Sequence, residues 1–210
     1  MSLCSVCVLP AEIPDIAAST GKVRLNEIQK IVFQRTKDGT TLNEITIATT
    51  NPNLLATWTA LKAASDNTKV TVSPYIDNPE SEAGGAREFG GPGETRGGIP
   101  IRFGRENTPF SARLMDTQTA IIEDLKAYEC EEELSVFFIN ECGNIIGKTD
   151  DNASPTTFRG FPIRSIFISD LNMGFYTAPD YYMIQFNLLA NWSDNLYIVT
   201  PSDFDALTEL

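Results

Sequence analysis

Apolar residues along this chain recur mostly with the spacing of strands. Within 27–35, Ile28, Ile31 and Phe33 stand among polar residues, although Ile31, Val32 and Phe33 are consecutive and break strict alternation. A strand is predicted there. Asp38-Gly39 is a turn signal, and 42–49 alternates Ile45 and Ile47 with polar neighbours, so the two stretches read as a hairpin. Thr50 or Asn51 then offers a helix cap and Pro52 suits a first helical turn. Leu54, Leu55, Trp58, Leu61 and Lys62 follow at helical spacing as far as the polar break at 65–67. A short strand at 69–73 places Val70 and Val72 on one face.

Periodicity disappears over 74–100, where glycine pairs at 84–85, 90–91 and 97–98, with Gly93 between them, interrupt Arg87, Glu88, Phe89, Glu94 and Arg96. An irregular loop this long is unusual inside a compact domain unless it is functional. Residues 75–98 are therefore read as an extended Gly-rich loop that contacts a partner. Arg87, Glu88, Phe89, Glu94 and Arg96 are its candidate inter-subunit residues.

A strand resumes at 99–103, and Asp116 or Thr117 can cap a second helix carrying Ile121, Ile122, Leu125 and Tyr128 on one face. Glu129, Glu131, Glu132 and Glu133 would oppose the dipole at a helix C-terminus, so the run is placed beyond the helix. Segments 134–140 and 145–148 flank Cys142-Gly143-Asn144 as a hairpin. The clearest strands are 162–170 and 181–189. In the first, Ile163, Ser165, Phe167 and Ser169 are expected to face away from Arg164, Ile166, Ile168 and Asp170. A short strand at 196–199 follows, and Ser202 is a candidate cap for a last turn. The tally is about eight strands and two substantial helices, with no internal repeat. These elements predict one α+β domain over 1–210, a strand-rich β-sandwich or open barrel flanked by one or two helices, with an N-terminal arm at 1–20.

Composition narrows the function. The hydrophobic share is 42% and the charged share 21%, as in globular proteins, and a chain of 210 residues buries roughly 70% of its unfolded surface. No apolar run reaches membrane-span length, so no membrane partner is expected. Residues 1–10 do not resemble a secretory signal, and synthesis is expected in the cytoplasm. The net charge of −12 repels phosphate, which argues against nucleic-acid binding by counterion release.

The chain contains no histidine. Serine-histidine and cysteine-histidine catalysis and histidine-bearing metal triads are therefore excluded. A pair among its 28 acidic residues would satisfy a glycosidase, but with so many carboxylates the pattern has no specificity. Cys4 and Cys7 have the spacing of a zinc half-site that Cys130 and Cys142 could complete; the wide second spacing favours free thiols. The glycines at 84–98 lack the Gly-Lys-Ser/Thr ending and following helix of a phosphate loop, and Asp150-Asp151-Asn152 lacks the other offsets of a calcium loop. Phe175, Tyr176, Tyr181 and Tyr182 are read as core or interface aromatics. No catalysis, cofactor or metal is expected.

Three stretches carry a family resemblance: 51–69, Glu94-Thr95-Arg96-Gly97-Gly98-Ile99-Pro100-Ile101, and Asn191-Trp192-Ser193-Asp194-Asn195-Leu196 with Thr200-Pro201-Ser202-Asp203-Phe204-Asp205. Together they resemble virion structural proteins of tailed bacteriophages, closest to tail tube and neck or collar ring subunits. The resemblance implies a β-sandwich or barrel core whose copies join into a homo-oligomeric ring, commonly of six, with other virion proteins as neighbours. It also implies a central channel through which DNA passes without specific binding. An acidic wall suits such a channel, because it raises the energy of phosphates evenly along the path. A capsid-decorating or cement protein is the alternative, and a carboxylate-dependent glycosidase the more distant one.

Overall fold

Residues 134–140 read Leu-Ser-Val-Phe-Phe-Ile-Asn, and all seven are buried. A strand that is apolar at odd and even positions alike needs covering on both faces. The computed structural model, which describes residues 25–174 and 179–210, shows how both faces are covered.

In chain order its elements are β1 (Ile28–Arg35), β2 (Lys37–Asp38), β3 (Thr41–Leu42), β4 (Ile45–Thr46), α1 (Leu55–Ala63), β5 (Val70–Val72), β6 (Asp77–Ser81), β7 (Ala86–Phe89), β8 (Ile101–Arg105) and β9 (Thr108–Met115). Then follow α2 (Thr119–Lys126), β10 (Leu134–Asn140), β11 (Ile145–Thr149), β12 (Thr157–Arg159), β13 (Phe161–Ile168), β14 (Tyr181–Leu188), β15 (Leu196–Val199) and α3 (Ala206–Glu209). The expected strand-rich α+β class is what the chain adopts.

One edge of β10 pairs antiparallel with β1 along nearly its whole length. The other edge is shared: Leu134–Val136 pairs with β13, and Phe138 and Ile139 pair with β11. The sheet therefore forks at β10. One branch runs β13, β14, β9, β6 and curls round. Ser73 N donates to Ile31 O and Ile76 N to Gln29 O, both at 2.8 Å, so the chain from β5 into β6 brings the curl back to β1. The other branch is β11, with β15 on one edge and β12 and β4 beyond the opposite one.

The fork produces two cores. Inside the curl, Ile31, Phe33, Val136, Phe138, Phe161, Ile163, Ile184 and Phe186 pack together, and Ile122 and Leu125 of α2 join them. On the outer face of the same two strands, Val32, Phe137 and Ile139 meet Trp58 of α1, Ile145, Phe158 and Val199. The Phe137 ring lies edge-on to Trp58 at 5.3 Å, and the indole N–H donates to Pro52 O at 2.8 Å. Each such side chain contributes roughly 1.5–3 kcal/mol by burial. The run Ile31-Val32-Phe33 defies alternation for the same reason: its odd and even residues enter different cores.

Several local expectations are corrected. β1 does not pair with 42–49; only the Asp38-Gly39 turn is local, joining β2 to β3, while Ile45 and Thr46 cross to β12. α1 starts at Leu55, later than expected, because Asn51 Oδ1 accepts from Asn53 N in a turn of its own. The Leu55 N–H instead donates to Asp203 Oδ1 at 2.9 Å, a partner 148 residues away. Thr117 Oγ1 donates to Met115 O and does not cap α2. The acidic run does fall beyond that helix, with Glu129 in the 3-10 turn Ala127–Cys130. Asp205, not Ser202, caps α3.

In β13 the register shifts between Arg164 and Phe167, around Ser165 with φ 56°. This bulge brings Ile163, Ile166 and Ile168 all inward and leaves Phe167 outside. β9, with Phe110, Ala112 and Leu114 buried, was not expected at all. The predicted arm at 1–20, with Cys4 and Cys7, and Phe175 and Tyr176 lie outside the described residues.

Candidate functional site

The stretch expected to be one irregular loop at 75–98 is built from regular pieces. β6 forms part of the curled sheet against β9, and β7 and β8 pair with each other as a separate two-stranded sheet. Neither face of that hairpin meets a core, so the polarity of β7 has no reason to alternate; this is why β7 escapes a search for periodicity.

The glycines shape the tip. Gly90 has φ 87°, and a Cβ there would stand 2.1 Å from Thr95 Cγ2, so no other residue fits. Thr95 Oγ1 donates to Ile99 O at 2.7 Å, and Gly98 N donates to Thr95 O at 2.9 Å. At the root, Glu106 N donates to Gly85 O at 2.9 Å, and Arg105 Nη1 donates to Asn191 Oδ1 at 2.7 Å. The hairpin is thus tied internally and at its base.

The five predicted contact residues divide between strand and tip. Arg87, Glu88 and Phe89 lie in β7, where Glu88 stands opposite Arg102 and Phe89 opposite Ile101. The Arg87 guanidinium lies 5.8 Å from the centroid of the Phe103 ring. Glu94 and Arg96 are in the tip, both exposed. Of the apolar residues here only Phe89 is among the five; Ile99, Ile101 and Phe103 are not. Phe89, Ile99, Ile101 and Phe103 are 63%, 69%, 59% and 64% exposed, four of the five most exposed large apolar side chains among the described residues. The spacing of Ile99, Ile101 and Phe103 marked a strand, and a strand so apolar is read as core. Only the glycines on either side hinted that it stands apart.

The charge of the hairpin differs from that of the body. Residues 86–105 hold four arginines and two glutamates, net +2, which leaves −14 on the rest of a chain of net −12. A basic, apolar projection therefore stands on an acidic body.

The other polar groupings serve the fold. Arg35 pairs with Glu131, a hydrogen bond that raises the guanidinium above its usual value, and Lys37 pairs with Glu133, lowering that carboxyl. Asp150 is held well below the usual carboxylate range, first by the Thr156 hydroxyl and then by the backbone N–H groups of Thr157 and Thr156. These bonds close the turn leading to β12. Cys130 and Cys142 are exposed free thiols, and no group of three or more Cys, Asp or Glu is arranged to hold a metal among the described residues. Nor is any helix there long and apolar enough to cross a membrane.

In comparison with known proteins, no family model, no curated protein and no solved structure matches the chain.

Proposed function

We propose that this chain is a structural subunit of a tailed-phage virion that associates with copies of itself into a ring, of the tail tube or collar kind, around a channel for DNA. The observation that carries the reading is the hairpin with four large apolar side chains exposed. An apolar patch of a few hundred Å² or more on a folded protein marks an interaction surface. Most other large apolar side chains are buried in the two cores, and four of the five most exposed among the described residues gather on this projecting element.

The acidity of the body supports the channel part of the reading, since a wall that repels phosphate gives DNA no binding site. The role is non-enzymatic, in keeping with a sequence devoid of histidine. Other virion proteins would meet the ring at its faces, and six copies is the expected number.

Electron microscopy and sedimentation velocity of the purified chain test this. Rings or short tubes with a central opening are expected. Monomers at every concentration that nevertheless bind capsid shells would replace the ring with a decorating role, and monomers without any such binding would leave the reading without support.

A further inference from the structure

Deepening the reading that the chain self-associates, we infer that the β7–β8 hairpin of one copy docks in a cleft on the outside of the curled sheet of the next. The cleft, of about 890 Å³, lies where β6, β9, β13 and β14 run side by side. Glu80 and Glu82 line it together with Ser111, Gln185 and Asn187, and with Phe167, which is 51% exposed. No lysine or arginine lines it.

The two surfaces are complementary. On one face the hairpin offers Phe89 and Ile101, which stand opposite each other, and Phe103 with the Arg87 guanidinium over its ring; the cleft offers two carboxylates and an exposed aromatic ring. The exposure of Phe167 follows from the bulge at Ser165, which turns this ring out of a strand whose isoleucines remain inside. Bulges re-aim side chains in this way. A desolvated aromatic and arginine centre within a charged rim is the composition of strong protein interfaces.

The occupant is a second copy. Among the described residues no hydrogen bond or ring contact joins the hairpin to the cleft of its own chain, and the root is tied towards Asn191 instead. The docked hairpin leaves its own copy's cleft free for a third. Such a head-to-tail contact closes into a ring or continues as a filament, depending on the rotation it imposes.

Charge reversal in two separate chains tests the contact. Arg87→Glu puts an acid on the contact face of the hairpin, and Glu80→Lys with Glu82→Lys makes the cleft basic. Each variant alone places like charges against each other, so each should need a roughly tenfold or higher concentration to associate, as read by sedimentation velocity. A mixture of the two is complementary at every contact: acidic hairpin meets basic cleft, and the unchanged hairpin meets the unchanged cleft. The mixture should regain association near that of the original chain. Circular dichroism establishes that each variant is folded, and Glu82→Lys alone serves if Glu80→Lys disturbs β6. Variants that associate like the original chain, or a mixture no better than its components, would overturn this contact while leaving self-association intact. An original chain that never associates would overturn the underlying reading as well.

Discussion

β10 and the β7–β8 hairpin are both apolar strand elements, and they meet opposite fates. Every residue of β10 is buried, because the fork in the sheet gives it a core on each face. Every residue of β7 is exposed, as are Ile101, Arg102, Phe103 and Arg105 in β8, because neither face of the hairpin is covered by a core. The same kind of residue therefore supports folding in one place and is available for association in the other. Substitutions in the two regions should separate stability from assembly.

Phe137→Ala should have the largest effect. It removes a ring packed against both Trp58 and Phe158 at the centre of the outer core, and the expected loss is about 3–5 kcal/mol in denaturant unfolding. The hairpin should respond in the other way. Ile101→Ser with Phe103→Ser should leave unfolding free energy within about 0.5 kcal/mol, since both side chains already face solvent, while self-association weakens roughly tenfold. A stability loss like that of Phe137→Ala would mean that the hairpin belongs to the fold.

Asp203→Ala removes the acceptor for the Leu55 N–H and should cost about 1 kcal/mol, seen as a small drop in unfolding midpoint with association unchanged. Asp150→Ala has the mildest consequence and a pH signature. The native carboxyl is depressed, so its stabilisation is present above the ordinary aspartate value near about 3.9 and is lost as pH falls below it. The melting temperatures of the variant and the original chain should differ most at neutral pH, with the difference beginning to shrink only as pH falls below about 4 and still present at about pH 3.

Strands that alternate or that are wholly apolar were visible in the sequence: β1, the β10–β11 hairpin around Gly143, β13 and β14. Partners were not visible. Nothing local in Ile28–Arg35 distinguishes a hairpin with the next strand from pairing with β10, about a hundred residues on. Pro109 obscured β9, although it lies beyond the residues that pair with β6 and so leaves no ladder bond unmade on that side. The bulge at Ser165 has no local signature, so Phe167 could not be placed on the outer face. At the candidate site the glycines drew attention to Arg87, Glu88 and Phe89, but Ile101 and Phe103 were hidden by the ordinary expectation that apolar strands lie inside. Exposure is a property of the whole fold.

The central claim is that the hairpin assembles copies without holding any one of them together. Gly85 O and Glu106 N are only 2.9 Å apart, so residues 86–105 can be replaced by a short Gly-Ser link that leaves β6 and β9 in place. Electron micrographs of the intact and shortened chains, backed by their melting temperatures, test the claim directly. The prediction is rings for the intact chain and folded monomers of unchanged melting temperature for the shortened one. Rings from the shortened chain, or its failure to fold, would contradict it.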